Sequence, residues 1–418
     1  MLQRQRLQQI RGHAGPAQPA LARLVTLAEG AGWPIFLVGG NVRDVLLGRP
    51  GRDLDLMIEG SAPALMAELV ATVGGTTRSS PRFGTVRWCA ADGTELDLAS
   101  ARAERYSKPG ALPTVQLGAT AVVDLARRDF SINAMAIRLD GDRAGQLLDP
   151  HGGLADLRAG RLRVLHPRSF CDDFTRAWRA ARLSSRMGMR LAPASLAQLR
   201  AARAAGAQAA ISPERLGAEL ARLWREPGPD RCLRALARWG CLAELLPELQ
   251  LTARRLAQLR GAAAAAQAAE AATSDVAWLL CAVALSPAVR QRAARLARGA
   301  RATQALWLAG PARLAAAQEA LQHGTGRSDW GTALRGQTAA ECAALWLLAP
   351  RLRPRLRWWQ AHGRHVRSVV DGHELQRQGL SPGPSFQRAL AAAYRAALAG
   401  ALPPQQRAEA LMAAKGDS

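Results

Sequence analysis

Ile35-Phe36-Leu37-Val38-Gly39-Gly40-Asn41-Val42-Arg43-Asp44, followed by Asp53-Leu54-Asp55, is the stretch whose reading decides the fold. The apolar run Ile35–Val38 reads as a buried strand feeding straight into two glycines. With no Cβ in the way, a glycine backbone can come close to a bulky anion. Leu54–Ile58 is a second apolar run and reads as the next strand, with Asp53 and Asp55 two apart at its start. Side chains at i and i+2 of a strand share a face, about 7 Å apart. From that spacing two carboxylates can hold divalent cations about 4 Å apart between them. A phosphate cradle beside a metal pair points to transfer chemistry on a nucleoside triphosphate. A lone DxD is commoner at a solvated strand edge; the glycine turn and the strings described below separate the two readings.

Around this stretch the pattern is mixed. Residues 18–31 read as an amphipathic helix ending at Gly30 and Gly32. From Ile35 to about Leu148, short β-type runs (36–38, 54–58, 85–88, 95–99) alternate with helical stretches near 42–47 and 62–73. Beyond about residue 150, leucines and alanines recur at spacings of three and four with arginines on the opposite faces, a helical pattern. Glu226-Pro227-Gly228-Pro229 and Pro382-Gly383-Pro384 punctuate it, and the alanine-rich Gly261–Ala272 is expected to be one helix. The chain is long enough for several domains. The expected class is α+β: a small mixed-sheet head over 1–150, then helical segments over 151–225, 226–345 and 346–418.

Lys and Arg number 56 against 33 Asp and Glu, a formal charge of +23 that predicts association with a polyanion such as nucleic acid. The six cysteines (89, 171, 232, 241, 281, 342) are scattered, without a CxxC pair or a zinc-ligand spacing. They read as small buried hydrophobes of a reducing compartment, and a cytoplasmic location is expected. The longest apolar run, Val276–Leu285, is too short to span a bilayer, and the basic N-terminus has no apolar segment behind it.

Three further strings carry chemistry. Asp97, on the predicted strand Glu95–Ala99, is a candidate third carboxylate facing Asp53 and Asp55; its bland reading is an exposed acid. In Arg127-Arg128-Asp129-Phe130-Ser131-Ile132-Asn133, Asp129 and Asn133 stand four apart, and a helix would put them on one face. An aspartate beside an amide can accept from and donate to two ribose hydroxyls, while Arg127 or Arg128 meets the triphosphate with its planar fork. In Asp172-Asp173-Phe174-Thr175-Arg176, continuing to Arg179, Asp173 and Arg176 would share a helix face. They are either an ordinary ion pair or a base reader. A carboxylate next to a guanidinium complements the amine donor and ring-nitrogen acceptor of cytosine and adenine, and meets uracil and guanine with the wrong polarity.

Taken together, the motifs resemble the class II tRNA nucleotidyltransferases, the family of CCA-adding enzymes and bacterial poly(A) polymerases. The resemblance runs through Leu37–Asp44 with Leu47-Gly48, Asp53-Leu54-Asp55, Arg82–Val86, and Asp97–Arg102 with Glu104 and Tyr106. It continues through Arg127–Met135, Leu148–Gly153, Asp172–Arg182 and Ile211–Arg215, in order over residues 35–225. It implies a polymerase beta-like head followed by helical neck, body and tail. It further implies two Mg²⁺ on Asp53 and Asp55, with Asp97 catalytic beside them. The triphosphate would lie on Gly39, Gly40 and Arg43 with Arg127 and Arg128, the ribose would be checked by Asp129 and Asn133, and the base would be read by Asp173 and Arg176, with Arg179 also nucleotide-binding. The implied reaction is template-independent addition of CCA to the 3′ end of tRNA from CTP and ATP. The helical remainder would grip the acceptor–TΨC arm, with no membrane and no obligate protein partner. Asp172, Phe174 and Thr175 depart from the family pattern, and Phe174 bears on how the helix there starts. Partial CC or A addition, and poly(A) synthesis, are the alternatives; Pro81-Arg82-Phe83-Gly84-Thr85 lacks the basic Gly-Arg-Arg-Phe type of strand that poly(A) polymerases tend to carry. A catalytically silent RNA-binding module is the alternative of a different class.

Overall fold

The computed structural model describes residues 2–49, 54–295 and 301–415. It divides into two compact units, one running to Leu216 and taking in Ala235–Cys241, the other made of Gly217–Arg234 and the chain from Leu242 on. The first unit opens with α1 (Leu2–Ala14) and α2 (Gln18–Gly30), then enters the sheet at β1 (Ile35–Val38). Next come α3 (Gly40–Leu46), β2 (Asp55–Ile58), α4 (Ala62–Val73), β3 (Thr76–Ser80), β4 (Thr85–Cys89) and β5 (Glu95–Ser100). A separate hairpin, β6 (Arg102–Arg105) and β7 (Thr114–Leu117), leads to α5 (Ala121–Ala126), β8 (Ala136–Arg138) and β9 (Leu147–Leu148).

The main sheet has seven strands in the order β3-β4-β5-β2-β1-β8-β9. Only β2 and β5 run parallel within it; the other neighbours are antiparallel. This is the mixed-sheet head that the glycine and aspartate motifs predict. β1 lies in its middle with all four side chains buried, which is why its sequence is an unbroken apolar run rather than an alternation. On one face Phe36, Val38 and Met57 pack with Ala121, Leu125 and Ala136. On the other, α4 lies against β4 and β5 and also packs on α2. The sequence pattern does not foresee β3, whose Thr76-Thr77-Arg78-Ser79-Ser80 is polar and exposed along an edge. Nor does it foresee α1, a mostly polar helix held by Ile10 and Ala14, both buried.

After the head the first unit is helical: α6 (Gly153–Arg158), α7 (Ser169–Asp172), α8 (Thr175–Met187), α9 (Pro193–Ala204) and the start of α10 (Pro213–Trp224), with a short parallel bridge between Arg161–Leu162 and Arg190–Leu191. The second unit is a helical array. Its core includes Trp278, with Trp224 edge-on at 5.9 Å and Trp307 at 4.1 Å between ring centres. Glu341 is fully buried there, accepting from Arg313 at 2.7 Å and from Thr338 N–H at 2.8 Å. The alanine-rich segment predicted as one helix to Ala272 instead ends at Ala268, turns through Glu270 at φ 58°, and restarts at Thr273. Alanine propensity permits a longer helix, but the two helices fold back on each other and both pack on Ala339–Leu348, which requires a turn. Among the described residues no helix is long and apolar enough to cross a membrane.

Candidate active site

The turn after β1 depends on glycine. Gly39 has φ 68°, in the left-handed half of the map, and a Cβ there would lie 2.9 Å from Arg128 Nη1. A Cβ on Gly40 would lie 3.3 Å from Arg43 Nη2. The two glycines thus let guanidinium groups from α3 and from the 127–128 segment close over one turn. Arg43 is itself held in place, with Nε and Nη2 on Asp44 at 2.9 and 3.1 Å and Nη1 donating to Asn133 Oδ1 at 2.8 Å.

Beside this turn the parallel pairing of β2 and β5 sets Asp55 directly opposite Asp97, and in-register residues of neighbouring strands project from the same face. Arg87 stands opposite Asp97 on β4 and grips it through Nε and Nη2 at 2.8 and 2.7 Å. Asp55 is exposed, and its Oδ2 accepts from Asn41 Nδ2 at 2.9 Å. Asp53 lies outside the described residues. Among the described residues no three His, Cys, Asp or Glu side chains form a metal-holding group. Two in-register carboxylates on one face nonetheless offer the hard oxygen donors that suit a small divalent cation.

Asp129 and Asn133 meet, though not on a helix. Phe130 is extended (φ −133°, ψ 150°) and bridges to Val164, so the spacing of four is spanned by a strand-like residue and a single 3₁₀ turn, Ser131–Asn133. Asn133 Nδ2 still donates to Asp129 Oδ1 at 3.1 Å, and Arg179 reaches Asp129 Oδ2 through Nε and Nη2 at 2.8 and 2.7 Å. A continuous polar chain therefore runs Asp44–Arg43–Asn133–Asp129–Arg179. Burial opposes the charge on Asp129, but Arg179, the Asn133 amide and the Phe130 N–H outweigh it and hold the carboxyl below its ordinary value.

Arg127 and Arg128 are held by Asp124, a residue outside the candidates drawn from the sequence. Asp124 Oδ1 takes Arg127 Nε and Nη2 at 2.9 and 2.7 Å, while its Oδ2 takes Arg128 Nη2 at 3.0 Å. Arg127 Nη1 continues to Glu104 at 2.8 Å, which also receives Arg102 Nη2 at 2.8 Å. The signal was present as an acid three and four residues ahead of two arginines that follow the end of a short helix. Burial would raise the Asp124 pKa, but Arg128 and Arg127 bring it below the ordinary 3.8. A carboxyl depressed by folding adds stability above its unfolded pKa and loses it as pH falls through the folded value. Asp124→Asn is therefore expected to cost about 3 kcal/mol at pH 7, since it takes the carboxylate partner from the largely buried Arg128 and leaves Arg127 with Glu104 alone. Urea unfolding of both proteins from pH 7 downward should show the difference narrowing below about pH 4.

Asp173 and Arg176 are also not on one helix face. Asp173 is extended (φ −144°, ψ 96°) between α7 and α8, and its Oδ1 accepts from Thr175 N–H at 3.0 Å and Thr175 Oγ1 at 2.6 Å. It thus caps the start of α8, and its Oδ2 pairs with Arg215 at 2.7 Å rather than with Arg176. Phe174 is helical in backbone and wholly buried. Arg176 is 4% exposed, with Nη1 on the Ser169 hydroxyl and Nη2 on the Arg127 carbonyl at 3.0 Å. It lines a cavity of about 480 Å³ together with Glu104, Tyr106, Arg127, His166 and Asp172. Burial, reinforced by Arg176, pushes the His166 pKa below its ordinary value, and burial pushes Tyr106 up. A neutral His166 matches its Nε2 standing 3.4 Å from Arg176 Nη1, where it can only accept. A cavity of this size, walled by three arginines, two carboxylates, an imidazole and a phenol, matches a nucleotide in volume and polarity.

The mixed sheet, its glycine turn and the helices that follow define a nucleotidyltransferase head with a helical remainder. Residues 35–163 match the poly A polymerase head domain. The chain is 46% identical over 211 residues to an A-adding tRNA nucleotidyltransferase of Halalkalibacterium halodurans, covering 50% of this chain and 49% of that protein. It is 42% identical over 217 residues to a CC-adding tRNA nucleotidyltransferase of Deinococcus radiodurans, covering 52% and 56%. The matched part thus spans about half the length of these curated relatives. Among solved structures, an apo form of a CCA-adding enzyme shares the fold over 97% of this chain and 98% of its own, with TM-score 0.83 at 24% identity.

Proposed function

We propose that the chain is a template-independent nucleotidyltransferase that extends the 3′ end of tRNA with C and A from CTP and ATP. The observation that carries this reading is the convergence of Asp55 and Asp97, in register on one sheet face, with the glycine turn and the Arg43–Asn133–Asp129 chain beside them. In this reading Arg43 and Arg128 meet the triphosphate over Gly39 and Gly40, with Arg127 in support. Asp129 and Asn133 check the ribose, with Arg179 fixing the Asp129 carboxylate. Arg176, with Asp173, reads the base in the adjoining cavity. The terminal 3′-hydroxyl of the RNA attacks the α-phosphorus of the bound triphosphate, a new P–O bond forms, and pyrophosphate departs with the bond that breaks. Asp55, with Asp53, would hold divalent cations, Mg²⁺ by the nature of the donors. When bound, such ions lower the pKa of the attacking hydroxyl and neutralise charge on the leaving group. Asp97 keeps Arg87 beside this site and supplies a third carboxylate.

The domain scheme that goes with this reading is a head over 1–150, a neck over 151–225, a body over 226–345 and a tail over 346–418. Arginines along the helical parts would contact the phosphates of the acceptor–TΨC arm, giving affinity without sequence reading. A second reading, partial addition of CC or of A alone, is favoured by one observation: the relatives at 46% and 42% identity are named A-adding and CC-adding. One assay tests both. A tRNA lacking its 3′ CCA, and tRNAs ending in C and CC, are offered with CTP, ATP, UTP and GTP separately and mixed. Growth by three nucleotides on the first substrate supports complete addition. Two nucleotides, or one added only to the CC-ended tRNA, assigns the partial activities, and no extension of any of them overturns the proposal.

A further inference from the structure

The N-terminal helix reaches the catalytic face. His13, on the last turn of α1, stands with Nε2 2.8 Å from Asn41 Oδ1, and Asn41 Nδ2 donates to Asp55 Oδ2 at 2.9 Å. The polarity of the chain is fixed from the Asp55 end. A carboxylate can only accept, so the amide nitrogen of Asn41 faces it and the amide oxygen faces His13, which must donate. Asn41 is 7% exposed, and as the second residue of α3 it is held directly after the glycine turn. His13 Nδ1 lies 3.3 Å from the Arg49 carbonyl.

A second, independent contact shows that α1 is built onto the head rather than laid against it. Arg6 Nη1 donates to the Gly145 carbonyl at 3.2 Å, and a Cβ on Gly145, at φ 83°, would come within 2.5 Å of the Gln3 carbonyl oxygen. Close docking at Gly145 and the buried Ile10 and Ala14 place His13 at the catalytic end of the helix. The motif reading accounts for neither His13 nor Asn41.

We propose that His13 is a positioning residue for Asp55, acting through Asn41: α1 supplies the outer member of a His–Asn–Asp chain that orients the carboxylate toward a divalent cation. This rests on the reading of Asp55 as a cation-holding carboxylate. Groups behind a metal ligand fix its orientation, and removing one costs about tenfold or more in metal affinity.

The test compares wild type with His13→Ala, His13→Gln, Asn41→Ala and the double Ala variant. Mn²⁺ binding is followed by electron paramagnetic resonance, and nucleotide incorporation is followed against Mg²⁺ concentration. His13→Ala and Asn41→Ala are each expected to weaken Mn²⁺ about tenfold and to raise the half-saturating Mg²⁺ by a similar factor. The double variant should be no worse than either, because both act through one chain. Gln presents an N–H at similar reach, so His13→Gln should recover most of the affinity. Unchanged Mn²⁺ affinity in His13→Ala, a double variant weakened by the product of the single effects, or a loss that follows melting temperature and is not recovered by Gln would each overturn the proposal. Asp55→Ala separates the two levels of the argument: if that variant binds Mn²⁺ like wild type, the reading of Asp55 fails, whatever His13 does.

Discussion

Asp55→Ala is expected to lower nucleotide incorporation by at least about a thousandfold, equivalent to about 4 kcal/mol of transition-state stabilisation. Binding of tRNA, measured by filter retention or anisotropy, should stay within about threefold of wild type, because in the proposed reading phosphate contacts made by arginines elsewhere dominate affinity. The fold should survive as well. Asp55 is exposed at the start of β2, while Leu56, Met57 and Ile58 behind it carry the packing. Exposed positions of this kind tolerate substitution at little cost. Incorporation that persists in Asp55→Ala would remove the carboxylate from the catalytic reading, whatever the RNA affinity.

The second large effect concerns nucleotide choice. Loss of a charged hydrogen-bonding partner that reads the base should narrow discrimination against UTP and GTP by about 10- to 100-fold. The geometry dictates which variants are informative. Asp173→Ala removes the cap on α8 and the partner of Arg215 along with any base contact, so its effect would be mixed. Asp173→Asn keeps an acceptor for the Thr175 N–H, and Arg215→Ala breaks the pair while leaving Asp173 in place. Arg176→Lys keeps the charge in the cavity but not the fork that reaches both Ser169 and the Arg127 carbonyl. Competition between ATP and UTP on a tRNA primer should show relaxed selection in Arg176→Lys and Asp173→Asn. If both select like wild type, the base is read by other groups. If only Arg215→Ala relaxes, Asp173 acts by holding Arg215.

The outcome of each motif follows from its range. The Gly39-Gly40 turn and Asp55 were legible because a strand repeats every two residues and a glycine pair after a buried run has few other uses. The placement of Asp97 was legible for the same reason, as Leu96 and Leu98 on either side of it point inward. Asp129 with Asn133, and Asp173 with Arg176, carry helical spacings that the structure does not honour. Phe130 is drawn into a bridge with Val164, and Asp173 turns its carboxylate onto the N–H and hydroxyl of Thr175, which opens α8. Local spacing loses there to a tertiary contact and to a cap. His13 with Asn41, 28 residues apart, leaves no local trace at all. Neither does Asp173 with Arg215, because such pairs exist only once α1 and α10 have docked.

The polar strand at one margin of the head has a further consequence. An open sheet ends in two rows of unpaired backbone groups, which invite a strand from another chain. Here β3 presents Thr, Arg and Ser at one margin, and β9 at the other is only two residues long. Neither offers a flat apolar rail on which a neighbour could zip. If the chain works on RNA as proposed, binding to a polyanion would bring copies to high local concentration, where intermolecular strand pairing is most dangerous. The head of this chain is blunted at both margins against it.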